Sequence, residues 1–363
     1  MIKLDKNIID CLHAFNGPRE VSYRYELLNN KDIKVKDLQV LSGRISFDSE
    51  AVINRTASFD VRNVDLLDWL NHRIKAYFRL KLGNEFKEWP LGIFIPSTGA
   101  RKKTISNINS IECYDANLIL SEDKTESRYF IASGTPYMTA ITSILNSAGI
   151  WKYDIQSTNA TIGMDKEYET GTSKIDIINS LLKEINYTSL WADENGYFRS
   201  QSYLLPTLRE VEYEYRTDQK SIILLDGRTE ETDLFNTPNR WVVTASNPEK
   251  QVLTASYTNN NPVSKTSTVS RGRVITDFRQ IDDIADQTTL NSYVEKIAYE
   301  ASSSIYNKLT FFTPNMPHHT YQDCIWIEDN YMGIANKFIE TSWEMDLNNG
   351  GKMTHKLRRV VSI

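Results

Sequence analysis

Only three cysteines, Cys11, Cys113 and Cys324, occur in 363 residues, and none stands in a CxxC pair. An odd, scattered set excludes a disulfide framework and a zinc ribbon and points to synthesis in a reducing cytosol. The segment from Met1 to Asp10 carries a charge every few residues and lacks the apolar core of a signal peptide. No stretch approaches the roughly 20 apolar residues that span a bilayer, so neither secretory export nor stable membrane insertion is expected. Basic charge is not in excess: 42 Lys and Arg stand against 47 Asp and Glu, a net charge of −5, unlike a generic nucleic-acid binder. GxxxxGK, GxGxxG, HExxH and GxSxG are all missing. Nucleotide-dependent chemistry and the common hydrolases lose their usual sequence support.

What is present is a folded chain. Hydrophobic residues reach 40% and aromatics 11%, too many for wholesale disorder, and the length predicts two or three domains at about 150 residues each. From about Val21 to Leu120 the apolar pattern has period two. Ala57, Phe59 and Val61 alternate with polar neighbours, as do Phe78, Leu80 and Leu82. Gly83-Asn84 supplies a hairpin turn, Glu85 to Trp89 starts the return strand, and further strands are expected at Leu91–Pro96 and Ile105–Tyr114. Closely spaced strands over about 100 residues read as a barrel or a sandwich.

The pattern then changes. Thr135 as N-cap and Pro136 at the first helical position open a helix whose stripe is Met138, Ile141, Ile144, Leu145 and Ala148, ending at Gly149. A second helix follows Thr172 or Ser173, with Asp176 in a capping-box position behind Ser173 and Ile178, Leu181, Leu182 and Ile185 on one face. A hairpin follows, from Thr188 to Ser200 around Glu194-Asn195-Gly196. Strands resume at Tyr213, Ser221–Leu225, Arg240–Ala245 and Gln251–Tyr257, and Asn259 to Ser270 has the composition of a mobile loop. A third helix fits 289–306, carrying Leu290, Tyr293, Val294, Ile297, Ala298, Ala301 and Ile305. The tail is strand-like at Leu309–Thr313, Cys324–Ile327, Lys337–Leu347 and Met353–Val361. The expected architecture is mainly β with an α+β insert: residues 1–120, an inserted 121–210, and 211–363. No internal repeat stands out, although two β-rich blocks around an insert permit a pseudo-duplication.

Of His13, His72, His318, His319 and His355, only the His318-His319 pair is clustered. It reads as a loop pair without carboxylates at a fixed offset, so no metal ligand is assigned. Asp226, Glu230, Glu231 and Asp233 are the best paired carboxylates for a glycosidase, against the plain reading of a solvated loop. Trp151, Trp191, Trp241, Trp326 and Trp343 lie in or beside apolar patterns and are expected in the core rather than on a sugar. The sequons at Asn54, Asn159 and Asn186 are discounted for want of a signal peptide. Lys352 to Val361 is mildly basic and is expected to be a strand with a charged outer face. No catalytic, cofactor-binding or metal residue is assigned, and no cofactor is expected.

Several stretches carry a resemblance: Arg55-Thr-Ala-Ser-Phe-Asp60, Asp68-Trp-Leu-Asn71-His-Arg73, Trp89-Pro-Leu-Gly92, Cys113-Tyr-Asp115, Gly134-Thr-Pro136, Gly171-Thr-Ser-Lys174, Leu190-Trp-Ala-Asp193, Gly196-Tyr-Phe198, Asp323-Cys-Ile-Trp-Ile327 and Gly350-Gly-Lys-Met-Thr-His-Lys356. Their order over nearly the whole chain resembles the hub proteins of phage tail tips, baseplates and phage-tail-like particles. The resemblance implies two β-barrel-like tube domains flanking a small outward-projecting insert. It further implies a homotrimer whose six barrels make a pseudo-six-fold ring, adapting a six-fold tail tube to a three-fold tip. Implied partners are the tail tube or distal tail protein, the spike or receptor-binding apparatus, tape-measure protein in the lumen, and DNA only in transit. The implied location is the virion tail tip or baseplate, or a phage-tail-like bacteriocin, after synthesis in the bacterial host cytoplasm. Related tip proteins carry long C-terminal extensions with receptor-binding or wall-degrading activity. Here the chain ends at Ile363, so such activity is expected on another subunit and the protein is expected to be structural, not enzymatic. The rival readings are a carbohydrate-binding or cell-wall-degrading tip protein using the 226–233 carboxylates, and an internal scaffold that leaves after assembly.

Overall fold

The computed structural model describes residues 1–363 except 16, 63–67, 69, 100–107, 219–220, 232–236, 247–250, 306–307 and 362–363. Helix α1 (Lys6–Leu12) precedes strands β1 (Val21–Leu28), β2 (Lys34–Asp37), β3 (Val40–Asp48), β4 (Arg55–Arg62), β5 (Arg73–Leu82), β6 (Glu85–Gly99) and β7 (Ile108–Tyr114). Only Leu38 and Gln39 separate β2 from β3, β1 pairs with β2, and β4 pairs with β3. The hydrogen-bonded path β2-β1-β5-β6-β7-β4-β3 therefore returns to its own bent strand and closes a barrel. Period-two residues Phe59, Val61, Ile74, Ala76, Phe78 and Leu80 fill it, each with no exposed surface. The two strands expected at 85–89 and 91–96 are one. Ala76 pairs with Gly92 and Tyr77 with Pro90, so Leu91 is the extra residue of a bulge, where a proline does not break the ladder. Gly92 has φ 150°, and a Cβ there would lie 2.7 Å from the Phe94 ring.

The insert comprises α2 (Asn117–Glu122), β8 (Tyr129–Ile131), α3 (Tyr137–Ser147), β9 (Tyr153–Ile155), β10 (Lys166–Tyr168), α4 (Lys174–Glu184), β11 (Trp191–Ala192) and β12 (Phe198–Ser200). Pro136, not Thr135, is the N-cap of α3: its extended backbone (ψ 134°) delays the first turn by one residue. Tyr137, Ala140, Ile141, Ile144 and Leu145 form the buried stripe. Ser173 caps α4 as expected, its Oγ accepting from the Asp176 N–H at 3.2 Å. These helices share a core of their own with Leu120, Ile178, Leu181 and Phe198. Arg55 and Asn117 fasten the insert to the first barrel. The Arg55 guanidinium donates to the Ala192 carbonyl and faces Glu194 at 3.8 Å. Asn117 Nδ2 donates to Val52 O at 2.8 Å and Asn54 Oδ1 at 3.0 Å. Arg55→Met is expected to cost about 1–3 kcal/mol, since it strands a buried carbonyl; urea denaturation followed at the insert checks this.

Next come β13 (Tyr213–Arg216), β14 (Leu224–Glu231), β15 (Arg240–Ala245), β16 (Leu253–Thr258), α5 (Thr268–Arg271), β17 (Thr276–Ile281) and α6 (Gln287–Ile305). Strands β16-β15-β17 form a separate sheet, and α6 packs Leu290, Val294, Ile297 and Ala298 against Trp241 and Val243 in a third core. The stretch expected to be a mobile loop is held by buried amides: Asn259 Nδ2 donates to Ser264 Oγ at 2.9 Å and Asn239 Nδ2 to Thr266 O at 3.2 Å. Ser267 then caps the short α5.

The chain ends with β18 (Lys308–Pro314), β19 (Cys324–Asp329), β20 (Ile334–Asp346) and β21 (Lys352–Arg359). The order β14-β18-β21-β20-β19-β13 forms a second curved unit, with β13 parallel to β19. Arg228 of β14 is ion-paired with Asp329 at the end of β19, and Ile222 and Ile223 are buried between β13 and β14. The two units meet where the second halves of β3 and β20 pair antiparallel, from Asp48 opposite Ser342 to Arg44 opposite Asp346. Each of these long strands also shifts register at a similar place, at Val40/Ser42 against β4 and at Glu340/Ser342 against β21. One core runs through the junction, where Phe47 stacks on Trp343 at 5.6 Å.

Candidate functional site: a polar sheet face backed by a buried histidine network

Six strands from both ends of the chain, β18-β21-β20-β3-β4-β7, form one unbroken sheet. Their registers set the outward side chains in rows, one of which runs Phe312, Thr354, Glu344, Ser46, Thr56, Tyr114. The next runs Thr310, Lys356, Ser342, Asp48. Hydroxyls dominate and charges interleave. Arg44 lies 3.2 Å from Glu344 and 2.9 Å from Asp346, and Arg358 lies 2.5 Å from Glu50. Phe312 is capped by Lys352, whose Nζ lies 3.8 Å from the ring centroid. The face has no apolar patch, but its charge is graded: Lys308, Lys352, Lys356 and Arg358 share the outward side of β18 and β21, while Glu344, Asp346 and Asp48 lie on β20 and β3 beside Arg44.

Behind it, inward positions of β20 and β21 carry Glu340 and His355 where alternation would place apolar residues. Glu340 Oε1 lies 2.6 Å from His355 Nδ1 and Oε2 lies 2.5 Å from His319 Nδ1. His319 Nε2 lies 2.7 Å from the Tyr215 hydroxyl, and His355 Nε2 lies 2.8 Å from that of Thr313. Asp323 Oδ2 lies 3.5 Å from His319 Nδ1, while its Oδ1 lies 2.8 Å from the Met1 amine. Thr320 donates its N–H to Asp323 at 2.7 Å, and Glu212 also bonds the Met1 amine at 2.8 Å. Six chain segments converge here: the N-terminus, β13 with the residue before it, β18, the loop before β19, β20 and β21.

Electrostatics assigns the protons. Burial opposes charge on His319, but the Glu340 carboxylate and the hydrogen bonds that Asp323 and Glu340 accept from the ring prevail and push its pKa up to about 9. Burial acts likewise against Glu340, yet His319 and the two imidazole hydrogen bonds hold it below the usual carboxylate range. Asp323 is lowered against its burial by His319 and the amine. His355 is lowered by burial, which Glu340 only partly offsets. The network thus carries a cationic His319 and a neutral His355, with the Met1 ammonium and His319 balanced by Asp323 and Glu340. Ring atoms of His319 and His355 and a Glu340 oxygen all lie within 4.8 Å of one another. Both Nδ1 atoms are committed to Glu340, so the group closes as a hydrogen-bond relay.

The histidine pair therefore differs from a loop pair without carboxylates: both rings are buried, and the fold brings Asp323 and Glu340 to His319. His318 packs edge-on against Tyr213 at 4.6 Å, has no hydrogen-bond partner for either nitrogen among the described residues, and is held well below the usual imidazole pKa by burial and by His319. His13 lies 2.7 Å from the Tyr213 hydroxyl, and His72 Nδ1 accepts from the Asp68 N–H at 3.0 Å. Asp226, Glu230 and Glu231 lie on the exposed strand β14 instead of in a loop, and Asp233 falls outside the described residues. Trp241 and Trp343 are core residues, whereas Trp151 is 66% exposed and Trp191 stacks on Tyr321 at 4.8 Å. The Lys352 segment is β21, inside the sheet between β18 and β20, with its charged face outward.

No protein-family model matches the chain, and no curated protein matches it in sequence. Solved structures do match. A tail protein from Neisseria meningitidis superimposes with a TM-score of 0.64 at 12% identity, over 93% of this chain and 96% of that one. The 43 kDa tail protein of prophage MuSo2 from Shewanella oneidensis gives 0.62 at 10% identity, over 92% and 98%. Prophage tail protein gp18 from Listeria monocytogenes gives 0.57 at 10% identity, over 92% and 94%. From the first barrel through the insert to the last strand, the chain has the fold of these phage tail proteins.

Proposed function

We propose that the chain is a structural, non-enzymatic hub of a phage tail tip or baseplate. Three copies form a ring in which 1–120 and 211–363 build the wall and 121–210 projects outward, adapting a six-fold tube to a three-fold tip. The ring is a conduit for DNA and tape-measure protein, seated between the tail tube or distal tail protein and the spike or receptor-binding apparatus. The observation that carries this reading is the six-stranded polar face shared by both ends of the chain. A wall past which a polyanion slides needs hydroxyls and paired charge, and the middle of this sheet supplies them in Ser46, Thr56, Ser342 and Thr354 and in Arg44 between Glu344 and Asp346. The likeness to tail proteins over nearly the full length of each chain supports the same reading.

The test is electron microscopy of the purified protein and of tails labelled at the insert. A three-fold ring with a central opening, found again at the tip, is the expected result; absence from mature tails would favour a departing scaffold. The conduit makes a second prediction. Ser46→Lys with Ser342→Lys and Thr354→Lys adds three cations to one face, so ejection should slow at low salt and recover as salt rises, because phosphate contacts are salt-dependent. Unchanged ejection at low salt would rule out this face as the channel wall.

A further inference from the structure

Among the strands that end these sheets, β14 and β17 are two with exposed apolar side chains. Among the described residues, β14 pairs only with β18, and the register jumps between Leu224 and Thr229, so 225–228 leave the ladder. Seven of its eight residues are exposed, with Leu224 at 40% and Leu225 at 50%. In the other sheet β17 pairs only with β15 among the described residues; its Phe278 stands 62% exposed, and Val274, just before the strand, 49%. Open edges with exposed apolar residues are pairing sites unless something covers them.

Their charges are opposite. β14 presents Asp226 and Glu231, both exposed, while its cation Arg228 is turned away into the ion pair with Asp329. The β17 side presents Arg273 and Arg279, the latter holding Asp277 at 2.9 Å, with Lys265 exposed in the preceding loop. Like edges would bring like charges together, β14 against β14 or β17 against β17, which is destabilising. Unlike edges match in charge and in apolar content.

We propose that β14 of one copy docks along β17 of the next. The inference rests on the hub reading and deepens it by naming a seam between copies. Because the two edges differ, the contact is head-to-tail, the kind that can continue from copy to copy and close a ring, where a like-with-like contact would stop at a two-fold dimer. The complementary surface is present on the same polypeptide, so the occupant is a second copy of this chain.

The test uses the full chain and mass measurement across a concentration series. Asp226→Arg with Glu231→Arg should weaken assembly by roughly tenfold or more, and Arg273→Glu with Arg279→Glu should do the same, because like charges then face each other. All four substitutions in one chain should restore the wild-type mass. Leu225→Cys with Phe278→Cys should cross-link copies under mild oxidation. Wild-type mass in both charge variants, or no recovery in the fourfold variant, overturns the seam. A wild-type chain that stays monomeric also overturns it. The hub reading is judged separately, by whether labelled tails show the protein at the tip, so a failed seam in tails that carry the protein leaves that reading intact. A confirmed seam in a protein absent from tails would leave the seam standing and sink the hub.

Discussion

Glu340→Ala should destabilise the second β unit by about 3–5 kcal/mol, the range for removing one partner of a buried charged pair. The Glu340 carboxylate accepts from two imidazoles on different segments, at 2.5 and 2.6 Å, and is itself only 1% exposed. Its loss leaves a cationic His319 facing Asp323 alone at 3.5 Å, and a His355 N–H with no acceptor. Glu340→Gln keeps the volume but offers one oxygen and an NH2, so it can accept from one imidazole while its amide opposes the other; it should fall between wild type and alanine. Glu344→Ala, on the outward face of the same strand, is the control and should stay within about 0.5 kcal/mol. The described residues form three separate cores, so hydrogen exchange is the right readout: β20 and β21 amides should lose protection while those of α3 and α4 keep theirs. A change under about 1 kcal/mol would mean the network is not what fastens these strands.

Local elements with one buried face were readable from sequence. β4 and β5 alternate without interruption, Ser173 with Asp176 announces α4, and the α6 stripe follows helical spacing. Elsewhere the physics is not local. β17 exposes four of its six residues and has one neighbour, so it carries no alternation to read. Asn239, Asn259, Thr266 and Ser267 have loop composition, yet their buried hydrogen bonds order the segment, and composition does not report who bonds whom. The junction of β3 with β20 joins residues about 300 apart and depends on register alone. The histidine network left one faint trace: Glu340 and His355 interrupt inward positions of otherwise alternating strands. Knowing that the two belong together required the pairing of β20 with β21 and the return of the loop bearing His319.

That network also sets a pH optimum, expected near 6.5. His319 has its pKa raised from 6.5 to about 9 in the folded chain. Below pH 6.5 both states bind the proton and the stabilisation is fully present; between 6.5 and about 9 only the folded state binds it, so stability falls as pH rises. At about 1.4 kcal/mol per pH unit, the loss reaches about 3 kcal/mol by pH 9. The Met1 amine, raised from 8.0 by Asp323 and Glu212 against burial, adds to the decline above pH 8. On the acid side the sign reverses. His318 and His355 are lowered, so below 6.5 the unfolded chain takes up protons that the folded chain refuses, and stability falls as pH drops. Asp323 and Glu340 extend that fall below the usual carboxylate range, because their folded forms resist protonation. Denaturation midpoints from pH 5 to 9.5 should therefore peak near 6.5. His319→Gln should flatten the alkaline limb and leave a shallower acid limb, since the burial of His318 and His355 persists while the His319 charge that also lowers them, Asp323 and Glu340 is gone. An alkaline limb of equal slope in that variant would assign the decline to other groups and remove the charge from His319.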